Sequence, residues 1–495
     1  MLRHWRFAVA GLGLLSGASL ADGPARRTTA SIDTQGLRLI TELGVEDEPG
    51  ASGVGLRGAD ILWQYSDADS ITESVALADG ADESWVAHNL NSERLALHQT
   101  TGDGTPLFEL PVSAENPDRI AVASAEDVSL GVLLTQDPNG VTLRAFTSAG
   151  GATPIWDYAF DPFYYTADYR AVDVSNDGSI VAAVASEPSA GVAWVAVLDG
   201  TSGATLIEGQ IASTSIARIE LTDDGSRAML TLGATATILD TATLATLHSF
   251  AVSGAGGYHR ISGDGKVAVA GGFNYVAWRE SGGVWSQLFN RTQSNNWFGG
   301  GAAVSDDGNT MFVASYNYAT GYLLLTYRVI DLVTGTQLAQ TTTQGAGAFQ
   351  DTVWIAHASA DGTRFAVASW GTQNNAHPEV QVFDRDLNLV AGLDTPGSPF
   401  AMQFSSDGGT LLVGSKAVHA NTFGRGSETY AARSAAPCPG DLDGDGAVSI
   451  ADLATLLSNF GLGAGATPEQ GDLDGDEDVD IKDLAAMLSV FGTIC

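Results

Sequence analysis

Positive charge is the scarcest property of this 495-residue chain. It has three lysines (Lys266, Lys416 and Lys482), and 23 Lys plus Arg stand against 58 Asp plus Glu, giving a formal charge of −35. Such a surface repels phosphate, so nucleic acid is excluded as a partner. Cysteine occurs twice, at Cys438 and Cys495, too rarely for a four-cysteine zinc site or an iron–sulfur cluster. Long apolar runs are also missing after the first twenty residues, so no later segment is suited to crossing a bilayer. Glycine is plentiful, at 59 residues, in a chain that is 44% hydrophobic and only 16% charged. That composition supports a large core of short strands and tight turns rather than an acidic disordered chain, and the length exceeds one ordinary domain.

Residues 1–21 read as a secretory signal. Arg3 and Arg6 precede the apolar stretch Phe7 to Leu20, and the small residues Ser19 and Ala21 lead to a cleavage point before Asp22. The apolar stretch is shorter than a membrane anchor needs, so the expected mature protein is secreted, with no transmembrane anchor after cleavage. Residues 22–58 form an N-terminal segment without a clear pattern.

From there the chain is periodic. VSNDGSIVAAVAS around Asp177 recurs as LTDDGSRAMLTL around Asp224, ISGDGKVAVAGG around Asp264, VSDDGNTMFVAS around Asp307, SADGTRFAVAS around Asp361 and FSSDGGTLLVGS around Asp407. Weaker copies surround Asp79 and Asp127, and successive Asp positions lie 40 to 54 residues apart. Each phrase predicts two strands joined by a two-residue hairpin, with Asp-Gly supplying the positive φ values and the preceding Ser bonding the turn. The apolar run that follows, such as Val181 to Ala185, suits a strand covered on both faces. A second strand pair completes each unit, for example Ala193 to Leu198 and Thr205 to Gly209. Four strands in such a unit make a β-propeller blade, with a solenoid as the competing architecture. The Asp residues are therefore turn formers, not ligands.

The Ser-x-Asp-Gly phrase and its apolar run resemble the WD40-like and YVTN-like propeller repeats of secreted bacterial proteins, over about Glu73 to Tyr430. The resemblance implies a mainly β fold and does not fix an activity. The propeller is expected over 59–433, with eight blades, or seven if the Asp127 unit is incomplete. ADILWQYS, Ala59 to Ser66, reads as an outermost strand without a partner before it, suited to completing the last unit as a clasp.

The C-terminal residues 434–495 carry a different signal. GDLDGDGAVSIADLATLLSNFG from Gly440 returns 31 residues later as GDLDGDEDVDIKDLAAMLSVFG, with 15 of 22 positions identical. In the first copy Asp441, Asp443, Asp445, the carbonyl of Ala447, Ser449 and Asp452 fall at calcium-loop positions 1, 3, 5, 7, 9 and 12. Asp472, Asp474, Asp476, the carbonyl of Asp478, Asp480 and Asp483 do so in the second. So many carboxylates in one short loop repel one another unless a hard cation gathers them. Each loop runs into an amphipathic helix, with Leu453, Leu456, Leu457 and Phe460 repeated as Leu484, Met487, Leu488 and Phe491. Two calcium ions are the expected cofactor.

Tandem loop–helix repeats with Asp at position 12 and no entering helix resemble a dockerin module, a small all-α domain. That resemblance implies a cohesin-like or cell-surface scaffold protein as partner, often in complexes that degrade polysaccharide. Positions 10 and 11, which often carry the Ser/Thr pair contacting cohesin, are Ile450-Ala451 and Ile481-Lys482 here. Cys438 and Cys495 bracket the module, and a disulfide between them would stabilise it by about 4 kcal/mol through loop closure.

For the propeller itself the aromatic stretch Ile155 to Tyr169 offers Trp156, Phe163, Tyr164 and Tyr165 as candidates for stacking on a sugar, with packing as the competing role. The histidines share no position relative to the Asp-Gly turns, and no catalytic set can be assembled from spacing. Two readings stand: an extracellular, non-catalytic interaction propeller that binds a glycan or a protein, or a polysaccharide hydrolase or lyase using propeller-loop carboxylates. Two carboxylates in a cleft would favour the enzyme; a channel filled by Val and Ala would favour binding.

Overall fold

In the computed structural model the described residues are 27–33, 36–42, 56–57, 60–68, 70–78, 82–89, 94–99, 102–111, 119–137, 140–160, 168, 170–251, 259–293, 296–419, 426–434, 440–442, 448–463, 465–466, 470–473 and 478–492. The signal segment, Phe163 to Tyr165, both cysteines, and Asp443, Asp445, Ala447, Asp474 and Asp476 lie outside them. The chain divides into two units at residue 49. In the first, Arg27–Asp33 and Gly36–Glu42 pair as an antiparallel hairpin, in a segment where the sequence showed no pattern.

Each of the six phrases from Asp177 to Asp407 folds as an antiparallel turn, and one set of bonds recurs. In the unit around Asp177, Gly178 donates its N–H to the Ser175 carbonyl at 2.8 Å. The Asp177 carboxylate accepts from the Ser175 hydroxyl at 2.8 Å and from the Ser179 amide at 2.9 Å. Ser175 Oγ in turn accepts from the Ile180 amide at 3.0 Å. Ser305 and Asp307 repeat the same bonds. Only the glycine takes positive φ, 71° at Gly178 and 67° at Gly308. The expected two-residue hairpin is therefore corrected to a β-turn followed by one left-handed glycine, because the Ser and Asp side chains hold the turn residues in ordinary backbone conformations.

Eight four-stranded antiparallel blades follow in chain order. Blades 1 to 7 span residues 71–111, 119–159, 172–212, 217–251, 259–292, 297–344 and 353–393. Blade 8 takes Pro399–Phe404, Thr410–Lys416 and Ser427–Arg433 from the end of the repeat region, and Asp60–Asp67 from before its start. That N-terminal strand pairs with Ser427–Arg433 from Ser427↔Asp67 to Arg433↔Asp60. The clasp read from ADILWQYS is thus present, and the degenerate Asp127 unit is a full blade, which settles the count at eight. Leu56–Arg57 additionally pairs with Leu393 and Gly392 at the outer edge of blade 7, a strand the sequence did not signal.

Burial falls from the channel outward. In blade 3 Val181 to Ala185 are completely buried, whereas the outer strand Thr205–Ala212 is exposed or half-buried at every position. Covering on both faces is why the second strands read as continuous Val and Ala. Blades meet through close-packed side chains: the Phe312 ring stacks on Phe365 across blades 6 and 7 at 5.1 Å and 8°. Among the described residues of the tail, α1 (Ile450–Asn459) and α2 (Ile481–Val490) are the two α-helices.

The turn glycines predict a graded cost. Gly308 (φ 67°) would place a Cβ 2.5 Å from Val267, while Gly335 (φ 70°) has nothing within 4 Å. Gly335→Ala should cost about 1 kcal/mol of left-handed strain, and Gly308→Ala roughly 1–3 kcal/mol more from the clash. Urea-unfolding midpoints measure both, and equal losses would contradict the packing described.

Candidate calcium loops and central channel

The innermost strands of all eight blades surround a cavity of about 320 Å³. Because strand side chains alternate, one register position faces inward in every blade. Counting four residues back from each motif Asp, that position carries Val75, Ala123, Asp173, Glu220, Arg260, Ala303, His357 and Gln403, all of which line the cavity. The wall is mixed, with Val75, Ala123 and Ala303 beside polar and charged side chains that include the carboxyls of Asp173 and Glu220 from neighbouring blades.

Polar wall residues bond neighbouring blades at several seams. Asp173 accepts from the Leu221 amide of blade 4 at 2.7 Å and from Val174 at 3.0 Å. Glu220 of blade 4 pairs with Arg260 of blade 5 at 3.5 Å. His357 of blade 7 lies 3.2 Å from the Met402 carbonyl of blade 8, and Glu73 of blade 1 accepts from the Ile120 amide of blade 2 at 3.3 Å. Arg218 holds Asp168 at 3.0 Å. Burial raises Asp173 to about 6, against the pull of the Leu221 and Val174 amides. It raises Glu220 to about 7, outweighing Arg260. His357 is driven well below its usual range by burial and by Arg260 and Arg170, so it is neutral. Asp173 and Glu220 thus each bond the neighbouring blade while lining the cavity.

At one mouth of the channel, backbone bonds link successive turns: Asn176 N to Asp223 O at 2.9 Å, Asp223 N to Gly263 O at 3.2 Å, Asp306 N to Ala360 O at 3.0 Å and Ala360 N to Ser406 O at 2.7 Å. Asp306 is pushed up to about 7 by burial first and then by Asp223 and Glu126. The motif Asp residues stay in their turns, as the sequence implied.

In the tail, the last residues of each acidic phrase serve as helix caps. Ser449 caps α1 and Asp480 caps α2, each in a reciprocal capping box with Asp452 or Asp483. Asp452 accepts from the Leu442 amide at 2.6 Å and the Ser449 amide at 2.7 Å; Asp483 accepts from Leu473 at 2.8 Å and Asp480 at 2.7 Å. One buried carboxylate thus ties the start of each loop to its end. Carboxylate oxygens of Asp478, Asp480 and Asp483 lie within 4.8 Å of one another, the one such group of three among the described residues. An all-oxygen set anchored on a fully buried acid fits a hard divalent cation. The sequence assigned Asp478 by its carbonyl; its side chain also reaches the group. The two repeats are reciprocal: Gly461 donates to the Val479 carbonyl and Gly492 to the Val448 carbonyl, both at 2.8 Å, around a core of Val448, Leu456, Val479 and Met487.

Trp156 is placed in packing. It is 7% exposed, donates its indole N–H to the Gly200 carbonyl at 2.7 Å and has Gly203 against its ring, so no face remains for a sugar. Among the described residues no helix is long and apolar enough to cross a membrane.

Comparison with known proteins places the fold. The chain is similar to the C-terminal WD40 domain of Sif2, with a TM-score of 0.52, 14% identity, and coverage of 76% of this chain and 98% of that one. It is also similar to Saccharomyces cerevisiae Sqt1, with a TM-score of 0.50, 10% identity, and coverage of 76% and 99%. At these identities the likeness shows the propeller architecture alone. No protein-family model matches the chain, and no curated protein does.

The channel carboxyls set a pH dependence. Glu220 holds a proton when folded that it releases when unfolded, so folded-state stability falls as pH rises from its ordinary 4.5 to about 7. Relative to Glu220→Gln, the wild type should lose stability across that window in urea titrations. A constant difference would show that Glu220 is not held protonated.

Proposed function

We propose that the protein is an exported, non-catalytic interaction propeller, working outside a bacterial cell and attached to a cohesin-like or surface scaffold protein through a tail that folds around two calcium ions. The carrying observation is the tail's reciprocal geometry. Each acidic loop ends in a carboxylate that closes the loop and caps its helix, so cation binding and helix formation are one event.

The same two repeats expose large apolar side chains in matched pairs. Ile450 and Ile481 are 77% and 65% exposed, Leu457 and Leu488 51% and 55%, Phe460 and Phe491 47% and 45%. Apolar residues left in water at equivalent places on both helices support a docking surface. Ile450 and Ile481 stand where a Ser/Thr pair is replaced by Ile-Ala and Ile-Lys, so docking on this tail is apolar in character. Export suits a bridge between Cys438 and Cys495, which would close the module covalently. For the propeller, the similarity to WD40 structures and the stapled channel support binding over catalysis.

Calorimetric titration of the full chain with calcium should give two sites, with one lost in Asp452→Asn and the other in Asp483→Asn. Capture on an immobilised cohesin should require calcium and weaken at least about tenfold in Leu457→Asp, a loss near 1.4 kcal/mol. Absence of calcium binding sinks the tail assignment, whereas calcium binding without capture sinks the cohesin-like partner.

A further inference from the structure

Five aromatic rings form a connected chain on blades 5 and 6, at the end of the propeller opposite the Asp-Gly turns. Tyr318 contacts Phe273 at 6.5 Å and Phe273 contacts Phe298 at 5.1 Å. Phe298 contacts Tyr316 at 5.6 Å and Tyr316 contacts Tyr322 at 5.5 Å. The rings come from three separate stretches: the turn after Val267–Gly271, the start of Trp297–Val304, and the end of Thr310–Asn317 with the turn beyond it. Phe273 and Tyr318 are 43% and 41% exposed, while the other three are half-buried beside them.

The platform is held rigid. Gly299 donates to the Gly272 carbonyl at 2.8 Å, joining the two blades. Gln293 bonds the same carbonyl through Nε2 at 2.7 Å, and its amide donates to the Phe273 carbonyl at 2.9 Å. The Tyr318 amide donates to Asn296 at 2.9 Å. A Cβ at Gly300 would come within 3.0 Å of both the Tyr316 ring and Val353, so glycine is what lets the Tyr316 ring seat there. Rings fixed before binding lose little entropy when a ligand arrives.

The chemistry around the rings is uncharged. Residues 271–274, 293, 296–298 and 315–323 contain no Asp, Glu, Lys or Arg, in a protein of net charge −35. They supply Asn, Gln and Thr, whose amides and hydroxyls both donate and accept. An anionic polymer would meet overall repulsion and find no cation here, and a basic peptide would find no carboxylate. A sugar ring has an apolar C–H face, matched to the electron-rich face of an aromatic ring, and a rim of hydroxyls matched to neutral amides.

Resting on the reading of the propeller as an interaction domain, we infer that this face of blades 5 and 6 binds a neutral polysaccharide, with Phe273 and Tyr318 as the stacking rings. Sequence reading missed it because the five rings come from three separate stretches that meet only in the folded ring of blades.

Native affinity electrophoresis of the full chain in gels containing mixed-linkage β-glucan, galactomannan or polygalacturonate tests this. Retardation is expected from a neutral polymer and not from polygalacturonate. Phe273→Ala with Tyr318→Ala should weaken it at least about tenfold, and Phe273→Trp should preserve it. Both substituted side chains are exposed, so an unchanged thermal midpoint shows that the fold survives. Retardation that persists in the double variant overturns the platform while leaving an interaction propeller in place. Binding of no neutral polymer, or equal binding of polygalacturonate, overturns the glycan assignment. Neither outcome touches calcium-dependent capture of the tail, which is read separately.

Discussion

The ring depends on one strand pairing made between distant parts of the chain. Asp60–Asp67 lies on Ser427–Arg433, so the first propeller strand in the sequence is the last strand of the last blade. Without it, blade 8 would end in an unpaired edge and blade 1 would lose the Trp63 ring that covers His98. The seam is built accordingly. Trp63 from the clasp is 2% exposed and stacks on His98 of blade 1 at 4.4 Å and 16°. Burial lowers His98 to about 4, keeping it neutral in that stack. Thr72 of blade 1 bonds Thr429 of blade 8 at 2.9 Å, and Gly414 leaves room for Thr72 where a Cβ would lie 2.2 Å away.

Closure fixes the geometry of everything inside and on the ring. Once eight blades stand side by side, one register position per blade points into the channel, and polar side chains there can reach a neighbouring blade. Asp173, Glu220, Arg260 and His357 do so, and the burial that comes with it raises the two carboxyls and lowers the histidine. Closure also brings the turn after Val267–Gly271 against the start of blade 6, where the aromatic platform forms. A binding face assembled from neighbouring blades exists only in the finished ring.

Much of this was legible because the repeat encodes local chemistry. Ser-x-Asp-Gly specifies its turn through side-chain bonds and one left-handed glycine, so the number and order of blades follow from the phrase. The clasp was legible because an amphipathic strand stood alone upstream of blade 1. The two tail helices were legible because each acidic phrase runs into an apolar run at helical spacing. What stayed hidden depends on neighbours far apart in sequence. Leu56–Arg57 is too short to carry a period, Glu220 acquires its altered acidity only beside Arg260, and Phe273 meets Phe298 only across two blades. Trp156 shows the converse, since of its two readings, packing and stacking on a sugar, only the contacts with Gly200 and Gly203 decide for packing.

Propeller and tail use different physics to become ordered. The propeller relies on closure and burial, and the tail on carboxylates that shape its loops and cap its helices. Hydrogen–deuterium exchange over the clasp tests the central claim most directly. Peptides covering Asp60–Asp67 and Ser427–Arg433 should exchange as slowly as the fully buried second strand of blade 3, Ile180–Glu187, because opening the seam would open the ring. Fast exchange of both clasp strands while Ile180–Glu187 stays protected would contradict closure as the interaction on which the structure depends.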